Sequence, residues 1–289
     1  MSRVFVAAGL DGFTAVSKDG MKWDSNEGRE GDSHAYITFN KGKCLVVGRR
    51  GGEAILSCTD NGKKWHQEQY PAKYSEYART AFAHQGKFKV IVGGDSTNGN
   101  AKASIIESED GMKWSGAKSI GGGRVIRRVA VNGDQVVAVG DYGRKAVSND
   151  ALQWQDAKEI KAVETLIDIT YGNGVFVGGG LHGMRMSSKD GLDWSKKVEG
   201  EEGEHINSIF FDGKQFVGVG LGGTYFSPNG RSWRRVINNE APHIVAYGNG
   251  VYVGAKWKGR IFLSRDAVKW EEVANLKGSI TTIGFGEMG

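Results

Sequence analysis

Cysteine and proline are almost missing from this chain: two cysteines and three prolines stand against 45 glycines in 289 residues. So few cysteines exclude a disulfide-stapled miniprotein and a cysteine-rich zinc module. With so little proline, the turns must be made by glycine at positive φ rather than by rigid rings. No apolar run approaches membrane-spanning length, and residues 1–6 carry too short an apolar stretch for a signal peptide. These absences describe a soluble protein, cytoplasmic or virion-associated rather than secreted, with no membrane span. The formal charge of +5 and pI near 9.0 are mildly basic but spread out, without a Lys/Arg block. Nucleic acid is therefore disfavoured as a partner, since no aromatic-basic module accompanies the charge. The two cysteines, Cys44 and Cys58, flank the turn Gly48-Arg49-Arg50-Gly51-Gly52 and face each other across a hairpin. Two buried free thiols is the preferred reading, and a cross-strand disulfide in an exported protein is the other. Neither a metal nor a cofactor is indicated.

What the chain has in abundance is one short phrase. Ser188-Lys189-Asp190-Gly191-Leu192-Asp193-Trp194 recurs as Ser17…Trp23, Ser108…Trp114, Ser148…Trp154, Ser227…Trp233 and Ser264…Trp270. A seventh copy, Cys58-Thr59-Asp60-Asn61-Gly62…Trp65, reads as carrying an extra residue before its glycine. Seven of the eight tryptophans close this phrase, at intervals of 42, 49, 40, 40, 39 and 37 residues. A period near 40 with glycine-punctuated apolar segments points to four-stranded propeller blades. Each repeat also carries a hairpin signal between apolar runs, as in Tyr171-Gly172-Asn173-Gly174-Val175-Phe176.

The expected fold is all-β: a seven-bladed β-propeller of four-stranded antiparallel blades, a single domain over 1–289. Ile280-Thr281-Thr282-Ile283-Gly284-Phe285-Gly286 reads as an inner strand without a partner, and Arg3-Val4-Phe5-Val6-Ala7-Ala8-Gly9 as a second strand without one. Joined, the N- and C-terminal strands complete one blade and remove the open edges of the array. Two connections, 70–77 and 93–102, are longer than the period allows and map to loops. The acidic run 198–204 reads as a solvated connection, because its glutamates lack calcium-loop spacing.

The phrase resembles the Asp-box, or BNR repeat, whose pattern is Ser/Thr-x-Asp-x-Gly-x-x-Trp. Six copies here are one residue shorter between Asp and Trp. The chain is similar to bacterial and phage-type repeat proteins, and more distantly to photosystem II assembly-factor propellers, sialidases and sortilins. The resemblance implies a structural role for the motif and a binding face elsewhere. It does not carry over an activity. The sialidase pattern of six blades, an Arg-Ile-Pro segment, an arginine triad and a tyrosine nucleophile is not matched; Val125-Ile126-Arg127-Arg128-Val129 is the nearest basic segment. Gly121-Gly122-Gly123-Arg124 opens no helix and reads as a loop rather than a phosphate cradle.

Candidate binding residues come from aligning the repeats on Gly42, Gly86, Gly133, Gly174, Gly213, Gly250 and Gly286. Six residues earlier stand Tyr36, Thr80, Arg127, Asp168, Asn207, Ile244 and Ile280, which should line the axial channel. Just outside them lie His34, Arg79, His205 and His243. The loops joining second to third strands add Arg49, Arg50, Asp95, Tyr142, Arg144, His182, Trp257, Lys258 and Arg260. Trp257 is the sharpest candidate, as the one tryptophan outside the repeat. The histidines belong to repeats too far apart to share a metal, and Arg127 and Asp168 sit where they could pair. The expected function is a noncatalytic binding or assembly module, engaging a protein or glycan ligand through this face, in a virion-type or accessory structural role. The alternative is a carbohydrate-active enzyme, glycosidase or lyase, with Asp168 as its one clear inward carboxylate.

Overall fold

The computed structural model describes residues 1–70, 77–93, 103–121 and 125–289. Most of the two long connections, with Asp95, and residues 122–124 of the triple-glycine run lie outside the described residues. The described chain is strand and turn, its one helical turn being the three-residue segment Asp141–Gly143.

Seven sheets form a ring. Blade 1 pairs the C-terminal strand Ile280–Met288 with the N-terminal strand Ser2–Gly9, in register from Ser2 opposite Met288 to Ala8 opposite Thr282. Its outer strands are Thr14–Ser17 and Asp24–Asn26. The inner strands of blades 2 to 7 are Asp32–Asn40, Ala78–His84, Ile126–Asn132, Leu166–Gly172, His205–Phe211 and Ile244–Gly248. Each inner strand packs beside the next, and that of blade 7 returns to Ile280–Met288. Blade 5 has three full strands; beyond Arg185–Ser188 its fourth position is held only by single bridges from Trp194 and Val198.

The apolar core is divided among seven clusters, and each straddles two adjacent blades. Second strands such as Lys43–Arg50 and Phe216–Leu221 are therefore buried on both faces, which is why they read as unbroken apolar runs. One motif tryptophan packs against each cluster: Trp194, for example, joins Val137 and Val147 of blade 4 to Phe176 and Met186 of blade 5.

The repeated phrase builds the turn between third and fourth strands. The Ser188 hydroxyl accepts from the Gly191 amide at 2.8 Å, and Asp190 Oδ1 accepts from the amides of Leu192 and Asp193, both at 2.9 Å. These amides hold the Asp190 carboxyl below the usual carboxylate range. The Trp194 indole closes the turn on the Gly191 carbonyl at 2.9 Å. Gly191 has φ 76°, and a Cβ there would stand 2.7 Å from Val137 of blade 4. The residue is thus glycine for two reasons, backbone conformation and close approach of the neighbouring sheet. Where alanine replaces it, Ala151 and Ala267 keep positive φ and are fully buried.

Two expectations change here. The copy at Trp65 has no extra residue: Thr59 Oγ1 accepts from the Gly62 amide and Asn61 Oδ1 from those of Lys63 and Lys64, so Thr59 and Asn61 stand in for serine and aspartate. The acidic run 198–204 is not wholly solvated. Glu204 is buried, bonded by the Tyr225 hydroxyl and paired with Arg235. Cys44 and Cys58 are free thiols that point to opposite faces of their sheet, Cys44 into the seam with blade 1 and Cys58 into the seam with blade 3.

Trp194→Ala should lower unfolding free energy by about 2 kcal/mol, the cost of emptying a half-buried seam position. Denaturant titration checks this, and loss of less than about 0.5 kcal/mol, the surface-site range, would contradict the seam role.

Candidate binding face at the channel mouth

Strand order assigns the two faces of the ring. Chains enter the inner strands, cross between second and third strands, and pass between blades at one face. The first hairpin turns and all seven motif turns occupy the other. Every candidate binding residue among the described residues falls on the first face or within the channel it opens into.

The channel contains a cavity of about 460 Å³ whose wall includes Tyr36, Arg128, Asp168, Ser208 and Ile244. The inner position of each blade is set by register, and the expected ring needs three corrections. Tyr36, Thr80, Arg128, Asp168 and Ser208 each follow a bulge and face Val47, Ile91, Val139, Gly179 and Val219 of their second strands. Ile244 and Thr282 complete the set. Arg128, Ser208 and Thr282 thus replace Arg127, Asn207 and Ile280. The physical reason is turn length: Gly133 opens its two-residue turn, blade 6 turns through four residues, and blade 1 has chain ends in place of a turn. Asn207 still borders the cavity, one position out.

Three of these lumen groups are committed to neighbouring backbone, as is Thr281 next to Thr282. Asp168 accepts from its own Ile169 amide at 3.0 Å and from the Ile209 amide of blade 6 at 2.9 Å. Ser208 accepts from the Val245 amide of blade 7 at 3.2 Å, and the Arg128 guanidinium donates to the Arg79 carbonyl of blade 3 at 3.1 Å. Thr281 donates to the His34 carbonyl of blade 2 at 2.7 Å. Arg128 also lies over the Tyr36 ring, 4.4 Å from its centroid. Asp168 and Tyr36 keep some exposed surface because they border the channel, yet protein surrounds them. Desolvation accordingly raises the Asp168 carboxyl above the usual range, partly offset by Arg128, and pushes the Tyr36 phenol up to about 12. Arg127 does not reach Asp168; it pairs with Asp141.

Several arginines expected as free surface groups are held in ion pairs. Arg50 holds Asp32 through two bonds of 2.5 and 2.7 Å, and buried Arg144 holds Asp156 at 2.5 Å. Arg260 pairs with Glu272 at 2.6 Å. Arg49 and Arg79 both lie over Tyr77, 5.3 and 5.0 Å from its ring centre. His182 is exposed and meets His205 edge-on at 6.1 Å; His243 is exposed, and desolvation with nearby Lys256 lowers its pKa. His34 is 3% exposed, and neither ring nitrogen makes a hydrogen bond of ordinary geometry. Burial lowers its pKa to about 4, against a small opposing effect from the Phe13 backbone and Asp32. Trp257 is 67% exposed.

Sequence reading named Tyr142 and Trp257 but missed Val163, Val198, Leu221 and Ile237, which are also exposed on this face. They fall in connections whose placement a repeat pattern does not reveal. Among the described residues, no three His, Cys, Asp or Glu side chains gather as metal ligands, and no helix is long and apolar enough to cross a membrane.

No family model matches the chain, and no curated protein matches it. Solved structures of the same fold do. The periplasmic gluconolactonase PpgL of Pseudomonas aeruginosa superposes with a TM-score of 0.70 at 11% identity, covering 99% of both chains. YCF48 bound to D1 peptide gives 0.62 at 15% identity over 98% of this chain and 87% of that one. BamB of Moraxella catarrhalis gives 0.59 at 12% identity over 96% and 84%. At these identities the likeness establishes the seven-bladed propeller fold alone.

Two outcomes follow. Between the unfolded histidine pKa of 6.5 and the folded value of about 4, the unfolded chain binds a proton at His34 that the folded chain refuses. Stability should therefore fall as pH drops through that window, by about 3 kcal/mol in all. Thermal melts at pH 7 and 4.5 should show this, with a smaller drop in His34→Gln. Asp168→Ala, which strands two amides, should cost about 2 kcal/mol; unchanged denaturation would refute the inter-blade role.

Proposed function

We propose that this chain is a noncatalytic propeller that binds a protein partner through the face at the channel mouth, in an assembly or structural role. The observation that carries this is the distribution of exposed apolar side chains. Among the described residues six of the nine large ones lie on this face, while Met21 and Met112 lie on motif turns and Met1 at the terminus. Clustered exposed apolar side chains mark interaction surfaces more often than scattered ones do. Arg49 and Arg79 over Tyr77 add residue types that dominate binding hot spots.

The lumen offers weaker support for catalysis. Each Asp168 oxygen already accepts a backbone amide, which leaves it poorly placed as a general base or nucleophile. A protein partner fits better than a glycan, because four of the six exposed side chains, Val163, Val198, Leu221 and Ile237, are aliphatic and offer no ring on which a sugar stacks. YCF48 bound to D1 peptide is an example of a propeller of this fold with a peptide on it.

Cross-linking mass spectrometry of the tagged protein in its source cells tests the reading. Partner cross-links are expected at Lys258 and Lys277 on the loop face, and Leu221→Asp with Trp257→Ala should abolish them at unchanged melting temperature. Cross-links confined to Lys22, Lys113 or Lys269 of the motif turns would overturn it. So would turnover of a glycan or lactone that disappears in a folded Asp168→Asn variant.

A further inference from the structure

Building on that reading, we infer that the sector of the loop face over blades 5 to 7 docks an apolar, uncharged segment of the partner, without electrostatic attraction. Four side chains follow one another around this sector. Val198 lies in the fourth-strand position of blade 5, bridged to Arg185 where the chain leaves for blade 6, and Leu221 at the tip between second and third strands of blade 6. Ile237 lies in the connection from blade 6 to 7, and Trp257 at the tip in blade 7. Their exposures are 40, 43, 73 and 67%.

The charges around them cancel in place. Lys197 pairs with Glu199 at 2.6 Å, Lys256 with Glu240 at 3.1 Å and Arg260 with Glu272 at 2.6 Å, while Arg235 is held by buried Glu204. The remaining exposed charges balance as well, Glu201 and Glu202 in the blade 5 to 6 connection against Lys258 and Lys277 around the blade 7 hairpin. A chain with pI near 9.0 thus presents a locally neutral, apolar sector, which complements an apolar surface and offers an acidic one nothing. The tips are also fixed. Gly259 has φ 72°, and a Cβ there would stand 2.5 Å from the Gly278 carbonyl, so the hairpin carrying Trp257 packs down on the next connection. Leu221 precedes the tight pair Gly222-Gly223 in the same way. Preorganised apolar anchors lose little entropy on binding.

Selection of random linear peptides from a displayed library on the full-length protein tests the inference. Enriched peptides should be aromatic and aliphatic with few charges, should bind equally at low and high ionic strength, and should lose at least ~10-fold affinity against Trp257→Ala. Leu221→Asp should act likewise, and Leu221→Met should restore binding, which separates contact loss from misfolding. Peptides rich in Asp or Glu whose affinity falls with salt would overturn the inference while leaving the binding face in place. Peptides insensitive to every loop-face substitution would overturn the binding face itself. Concentration-dependent dimerisation abolished by Trp257→Ala would make a second copy the occupant and overturn the partner assignment.

Discussion

The seam between adjacent blades is the interaction on which the rest depends. No blade has a core of its own: each buries one sheet face against the blade before it and the other against the blade after it. An array with this property has unsatisfied faces at both ends unless it closes. Pairing of Ser2–Gly9 with Ile280–Met288 supplies that closure with backbone hydrogen bonds, so blade 7 packs its last seam against strands from both chain ends. The motif phrase serves the seam rather than any ligand. Its glycine allows the neighbouring sheet to approach, its tryptophan fills the gap beside it, and its serine and aspartate keep the turn from rearranging.

The same constraint spends the polar groups that a functional reading first singles out. Inner strands of a narrow ring converge, and their bulges leave backbone amides and carbonyls facing the next blade. Asp168, Ser208, Arg128 and Thr281 answer those groups. Ion pairs such as Arg50–Asp32, Arg144–Asp156 and Lys145–Glu164 consume further charge at strand ends. The loop face is the one we propose for recognition. It is divided between an arginine–tyrosine group on blades 2 and 3 and an apolar, charge-cancelled sector on blades 5 to 7.

The site residues show how far a repeat pattern reaches. Trp257 was legible because it breaks the series, and its exposure follows from being at a hairpin tip. Arg127 and Arg128 were not distinguishable, since a bulge and a turn one residue different exchange which of them faces the lumen. Val198, Leu221 and Ile237 gave no signal at all. A single apolar residue in a loop looks the same whether it is tucked under or exposed, and only its neighbours decide.

The sequence by itself determined the fold class, the blade number, the closure and the motif's structural role. Each of these rests on a period repeated seven times, and local turn chemistry is encoded within a few residues. Tertiary structure decided which charges are paired, that the two thiols point apart, and which apolar loop residues are exposed. Those depend on side chains brought together from different blades, whose spacing along the chain varies with every turn and connection.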